Sequence, residues 1–258
     1  MKPENIKITP KWSKNKEDIW NETFAALEDS GSSRINRISF WKFAAAVVIL
    51  IVLTGTITAR FYSVTETTAR ATHLTVTLPD GSTVNLNAES ELTYKPYWWL
   101  VSRMVELNGE AYFEVTQGKR FSVISNQNEV KVLGTSFNVF ARTEKYCVTC
   151  LTGKVEVTAA NETVLLNPNM RLTYRGKKMT LEENIDARQS NEWTKDKFVF
   201  VGVPLVDVVR EIERQYDIRV KANNSLDHFY TGNFSKTEKP DEILEIIGKP
   251  FGIKFSIK

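Results

Sequence analysis

Apolar positions along the chain fall into four successive patterns. Between Ser13 and Gly31, Trp20, Phe24 and Leu27 recur at i, i+4, i+7, and Ile19, Thr23 and Ala26 widen that stripe. The spacing predicts one amphipathic helix. Ser13 or Asn15 suits its N-cap, Glu17 and Asp18 complement the positive end of the dipole, and Gly31 suits its stop. From Phe43 to Ala59 no charge interrupts the chain and no polar face recurs. That run predicts a membrane-spanning helix of about 26 Å. Lys42 and Arg60 can snorkel at its ends, and Phe40, Trp41, Phe61 and Tyr62 flank it as interfacial anchors do. A signal peptide would lie nearer the N-terminus.

From 72 to 181 short apolar runs alternate with turn signals. Runs at 75–78 and 83–87 flank Pro79-Asp-Gly-Ser82, where proline presets φ and glycine accepts positive φ. Runs at 104–107 and 111–115 flank Asn108-Gly109, a strong two-residue hairpin signal. Glu110 and Glu114 share one strand face, which predicts a solvated face. Further strands are expected at 121–124, 130–133, 137–141, 148–157 with a break at Thr152-Gly153, 163–166 and 171–174. The reading is an all-β domain, rolled or sandwiched over one core.

Residues 182–192 are polar and read as a linker. Beyond them the period changes. A strand at 197–202 precedes a helix opened by Pro204, with Leu205, Val208, Val209, Ile212 and Tyr216 on one face. Strands at 218–220 and 230–234, a helix at 240–247 through Ile243, Leu244 and Ile247, and a strand at 253–257 follow. The order β-α-β-β-α-β predicts a small two-layer α+β module, with a sheet face or edge free for protein docking. The expected organisation is therefore an arm at 1–40, a span at 41–62, a β domain at 72–181, a linker at 182–192 and an α+β domain at 193–258.

Composition narrows the function. With 42% hydrophobic and 25% charged residues, the 258-residue chain is not disordered as a whole. A net charge of +3 gives no reason to expect nucleic acid as a direct ligand. Arg34, Arg37 and Lys42 precede the span, and Arg60 and Arg70 follow it. That bias favours a cytoplasmic N-terminus and an outer, in a bacterium periplasmic, C-terminus. His73 and His228 lie far apart, so no metal is expected, and no motif implies a cofactor. No nucleophile–base pair is visible, so an enzyme is not expected. Cys147 and Cys150 have C-x-x-C spacing but lie in a strand, where positions i and i+3 point to opposite faces. They read as one buried and one partly buried thiol.

The arm helix has no second element on which to bury Trp20 and Phe24, and a helix of about 15 residues is marginal alone in water. Either the membrane surface or the groove of a cytoplasmic protein covers it. The acidic residues Glu17, Asp18, Glu22, Glu28 and Asp29 disfavour an anionic leaflet. Tyr94, Tyr97, Trp98, Trp99 and Leu100 cluster around Pro96. They read as a cover over the end of the β core, or as a sugar- or partner-binding loop.

Several stretches resemble FecR-type anti-sigma factors in the form found in Bacteroidetes. They are Leu78-Pro-Asp-Gly-Ser-Thr-Val-Asn-Leu-Asn87, Val105-Glu-Leu-Asn-Gly-Glu-Ala-Tyr-Phe-Glu-Val115, Val132-Leu-Gly-Thr-Ser-Phe-Asn-Val139 and Leu151-Thr-Gly-Lys-Val-Glu-Val157. Thr152 stands where the family often has an acidic residue. The C-terminal unit is similar to the signalling domain of TonB-dependent transducers. The resemblance spans roughly residues 15–258, with a cytoplasmic part shorter than in many relatives. It implies an inner-membrane protein whose arm binds an extracytoplasmic-function sigma factor, with Ile19, Trp20, Phe24 and Leu27 as anchors. The outer part would sense the signalling domain of a TonB-dependent outer-membrane transducer, and regulated proteolysis would free the sigma factor. Some relatives cleave themselves between Gly and Thr, and Gly134-Thr135 lies in the matching motif. The alternative function is a membrane-tethered periplasmic glycan-binding protein using Tyr97, Trp98 and Trp99.

Overall fold

The computed structural model describes residues 11, 13–28, 37–143, 145–176 and 178–258, and at 25–28 and 37–39 the backbone alone. The chain forms two compact units, Met1–Thr56 and Ile57–Lys258. The first holds helix α1, Lys16–Glu28, and most of α2, Arg37–Phe61. The expected stop at Gly31 lies outside the described residues. Within α2, Phe40–Phe61 is a 22-residue stretch of mean hydropathy 2.1, long and apolar enough to cross a membrane. None of it is packed inside the protein. The hydroxyls of Thr54 and Thr56 donate to the carbonyls of Leu50 and Val52 at 2.8 and 2.9 Å, so these polar groups are satisfied along the helix.

The second unit opens with strands β1 (Val64–Thr68), β2 (Leu74–Thr77), β3 (Thr83–Leu86), β4 (Ser90–Tyr94) and β5 (Arg103–Glu114). The sheet thus begins ahead of residue 72. Strands β6 (Phe121–Ser125), β7 (Asn128–Val132), β8 (Ser136–Arg142) and β9 (Lys145–Cys150) follow. The β domain closes with β10 (Val155–Ala159), β11 (Glu162–Leu166), β12 (Met170–Arg175) and β13 (Lys178–Glu182). One sheet runs β1-β4-β5-β6-β7-β10-β11 and the other β2-β3-β5-β8-β9-β12-β13. Strand β5 belongs to both. Leu92, Val105, Val123, Val130 and Val157 from the first sheet meet Val84, Leu86, Phe113, Phe137 and Leu172 from the second. Phe113 and Phe137 stack with centroids 5.0 Å apart. The rolled or sandwiched all-β expectation therefore holds.

The hairpin expected at Asn108-Gly109 is absent. Strand β5 runs straight through it, pairing with β4 and β6 before Gly109 and with β3 and β8 after it. Gly109, at φ +114°, bends the strand from one sheet into the other. A Cβ there would lie 2.7 Å from the Ser90 Cα. Gly109→Ala is therefore expected to destabilise a 60–258 fragment by about 1–3 kcal/mol, read by urea denaturation.

The expected linker is ordered as well. A 3-10 helix, Ala187–Lys195, is capped by the Asp186 carboxylate and buries Ala187 and Trp193. Then come β14 (Lys197–Pro204), α3 (Leu205–Tyr216), β15 (Val220–Ala222), β16 (Phe229–Ser235), α4 (Pro240–Gly248) and β17 (Phe255–Ile257). The β-α-β-β-α-β order holds, with β14 pairing β16 and β15 pairing β17, both antiparallel. Leu205, Val208 and Ile212 of α3 and Ile243, Leu244 and Ile247 of α4 fill one core. That core also takes Tyr112 from β5 and Trp193.

Candidate functional site

On α1 the Trp20 and Phe24 rings lie 4.0 Å apart, one helical turn from each other. Trp20 is 58% exposed, and Ile19 and Phe24 are 38% exposed. The polar side is held by Lys14, whose Nζ meets Glu22 at 2.8 Å. The Thr23 hydroxyl donates to the Ile19 carbonyl at 2.7 Å. Leu27 lies within α1, and its side chain is outside the described residues. Three of the four expected anchors thus form an apolar patch left open to solvent, the arrangement a helix presents to a groove.

The second unit carries a polar junction that the pattern of the sequence did not predict. Glu110 is buried, not solvated, because its face of β5 is covered by the 3-10 helix and α3. Its carboxylate accepts from the side-chain amides of Asn87 and Asn138 at 2.8 and 2.9 Å. The Asn138 oxygen takes the Trp193 indole N–H at 3.4 Å. From α3, Gln215 Nε2 donates to Asn87 Oδ1 at 2.6 Å and to Glu211 Oε1 at 2.8 Å. Its Oε1 lies 3.0 Å from His73 Nε2. Arg214 grips the other Glu211 oxygen through Nε and Nη2 at 3.1 and 2.8 Å. Arg142 donates to the Ala88 and Glu89 carbonyls, both at 2.8 Å.

Two buried carboxylates face each other here, and their surroundings separate them. Burial, and then the Glu211 charge, push the Glu110 carboxyl above its ordinary range, against the pull of Asn138. Burial also works to raise Glu211, but Arg214 and then Arg142 outweigh it and hold Glu211 below its ordinary value. Burial, with Lys236 adding to it, holds His73 low. A cleft of about 210 Å³ opens beside this network, lined among others by Cys147, Arg171, Lys197 and Phe200. Cys147 faces that cleft and Cys150 faces the β core, as i, i+3 spacing in a strand requires. Both thiols are buried, where one had been expected half-open, because the C-terminal module covers the outer face. Burial pushes the Cys150 thiol up to about 11. Among the described residues no three His, Cys, Asp or Glu side chains converge on a metal-sized site.

Gly134 and Thr135 lie between β7 and β8. A Cβ on Gly134 would stand 2.7 Å from the Gln117 Cα, so only glycine fits that crossing. The Thr135 carbonyl accepts the Val115 N–H at 2.9 Å. Its hydroxyl is buried and has no hydrogen-bond partner. At the aromatic cluster, Trp99 is 4% exposed and packs edge-on to Tyr94 and Phe121. It is part of the core, so the three-ring sugar platform does not form. Tyr97 and Leu100 stay exposed.

Asn138, Arg142, Glu211, Arg214 and Gln215 were not among the residues the sequence singled out, and Glu110 was singled out only as part of a solvated face. The one available signal was on α3, where Glu211, Arg214 and Gln215 form a second, polar stripe beside Leu205, Val208 and Ile212.

The FecR protein family model matches residues 64–156, and the FecR C-terminal model matches residues 197–258. Two crystal structures of a candidate anti-sigma factor from Parabacteroides distasonis ATCC 8503 are similar to the chain. One has TM-score 0.71 and 30% identity, covering 75% of this chain and 93% of that one. The other has TM-score 0.70 and 30% identity, covering 74% and 93%. No curated protein matches.

Proposed function

Because this chain belongs to the FecR family of anti-sigma factors, we propose that its N-terminal arm captures an extracytoplasmic-function sigma factor on the cytoplasmic side of the inner membrane. The observation that carries this reading is the uncovered Trp20–Phe24 pair on α1. An apolar stripe with a polar back is a helix-in-groove ligand, and the two rings supply most of its anchoring area. Ile19 extends the stripe, and the i+7 spacing from Trp20 puts Leu27 on the same helical face by sequence. Helix α2 spans the membrane once, with the N-terminus in the cytoplasm and the C-terminus in the periplasm.

In this reading the β domain and the α+β module receive the signal from the signalling domain of a TonB-dependent outer-membrane transducer. The polar junction supports a relay, because buried hydrogen bonds running from Glu110 through Asn87 and Gln215 to Glu211 tie the two parts in one register. Proteolysis then releases the sigma factor. Self-cleavage between Gly134 and Thr135 belongs to the same reading. The Thr135 hydroxyl would attack the Gly134 carbonyl and pass its proton by way of an acceptor to the Thr135 nitrogen. The peptide C–N bond breaks to leave an ester and a free Thr135 amine, and water then hydrolyses the ester to separate the two chains. What supports it is the unpartnered, buried hydroxyl beside a tightly packed glycine. A denaturing gel is expected to show two fragments from the wild type and one band from Thr135→Ala. A single full-length wild-type band removes this step.

The whole proposal is tested by extracting the full chain in mild detergent and identifying by mass spectrometry what is bound to it. Recovery of a sigma factor supports the reading. An arm that instead partitions into lipid vesicles and recovers no sigma factor overturns it.

A further inference from the structure

The turn between β4 and β5 holds three apolar side chains out in solvent. Leu100 is 89% exposed, and Tyr97 and Val101 are each 69% exposed. Soluble surfaces rarely cluster apolar side chains at a tip. The tip is also rigidly presented. Trp99 is sunk in the β core between Tyr94 and Phe121, with centroids 6.1 and 5.9 Å away. The Trp98 carbonyl accepts from the N–H groups of Val101 and Ser102 at 3.0 and 3.1 Å.

The turn also touches the end of the apolar helix. Tyr62 and Tyr97 have ring centroids 5.1 Å apart, and the Arg60 guanidinium lies 5.7 Å from the Trp98 ring centre. Phe40–Phe61 contains 22 residues, which as a helix is about 33 Å against a hydrocarbon core of about 30 Å. If that stretch crosses the bilayer, Phe61 and Tyr62 sit at its outer interface, and Tyr97 and Trp98 sit beside them. Tyrosine and tryptophan are the side chains enriched at that depth, and arginine and lysine reach phosphate there. Arg60 and Lys95 flank the tip.

We infer that the 95–102 turn is a lipid-facing foot: Tyr97, Leu100 and Val101 enter the outer interface of the bilayer that α2 crosses. The inference rests on the reading of α2 as a span. The foot gives the β domain a second attachment beside its covalent one. A partner that turns the β domain must then pull this foot out of the lipid.

Single cysteines at Leu100, Leu50 and Leu165 test it in the full chain, reconstituted in phosphatidylcholine nanodiscs and labelled with an environment-sensitive fluorophore. Leu50 lies in the apolar helix. Leu165 is 52% exposed on β11, at the opposite edge of the sheet from β1 and β4. Wild-type chain labelled in parallel gives the background from buried Cys147 and Cys150. The label at 100 is expected to shift its emission to the blue and to be quenched by a nitroxide lipid carrying its spin near the headgroup. The label at 50 is expected to be quenched by a deep nitroxide, and the label at 165 by neither. If the label at 100 behaves like that at 165 while the label at 50 is quenched, the foot is overturned and the span stands. If the label at 50 is not quenched either, the span reading and the foot fall together.

Discussion

Trp20→Ala combined with Phe24→Ala is expected to weaken sigma-factor capture by roughly 100–1,000-fold, measured as a dissociation constant for the purified partner. Buried aromatic anchors commonly contribute 2 kcal/mol or more each on truncation, and about 1.4 kcal/mol is a tenfold change. The two rings touch each other at 4.0 Å, so their losses will not simply add. The helix itself should survive. Both side chains are open to solvent, and alanine is the best helix former. Circular dichroism of the arm should therefore be unchanged or slightly more helical. Capture that persists within about threefold would move the contact elsewhere on the arm and remove Trp20 and Phe24 as anchors.

Arg214→Leu is expected to be the most damaging single change in the outer part. Arg214 and Glu211 are nearly shut away from water, with side chains 8% and 11% exposed. Removing the guanidinium leaves the Glu211 carboxylate buried, facing Glu110 with Arg142 as its next cation. Breaking a buried pair in this way costs about 3–5 kcal/mol. For a unit of this size that lowers the melting temperature by roughly 6–20 °C. The measurement is thermal and urea unfolding of a 60–258 fragment. Arg214→Leu with Glu211→Leu should recover most of the loss, because an apolar pair leaves no charge uncompensated. A single variant within about 1 kcal/mol of wild type would show that the network does not hold the junction.

The same pair sets an acid response. Glu211 has its folded value below the ordinary one, so its contribution is fully present above the ordinary carboxylate range and is lost as pH falls through the lowered value. Glu110 works the other way. Its folded value is raised, so its ionisation costs stability as pH climbs from the ordinary range through that raised value.

Much of the molecule was legible in the residues. The period of 3.6 in α1, α3 and α4 and the uncharged run of α2 require only local arithmetic, because a helix satisfies its backbone within itself. The turn at Pro79-Asp-Gly-Ser82 formed as its chemistry requires, between β2 and β3. The β-α-β-β-α-β order of the C-terminal module formed as its changing period predicts.

Other features depended on partners far along the chain. At Gly109 a positive φ serves a tight turn and a sheet-to-sheet bend equally well, and only the choice of β3 and β8 as neighbours decides between them. Alternation along β5 stops there. Met104, Glu106 and Asn108 face solvent, while Glu110 and Tyr112 are covered by a module that begins some eighty residues later. Trp99 could not be assigned to core or surface from a cluster of aromatic residues, because either place accepts an indole. By itself the sequence determined the arm helix, the apolar helix, the order of strands and helices in the C-terminal module and the family, all of which rest on local periodicity and motif. The tertiary structure alone decided that Glu110 is buried, that the polar stripe of α3 meets Asn87 of the β domain, and that Tyr97 and Trp98 lie against Tyr62 and Arg60 at the end of α2. Each of those is a statement about which distant surface excludes water from a given side chain, and no local pattern carries that information.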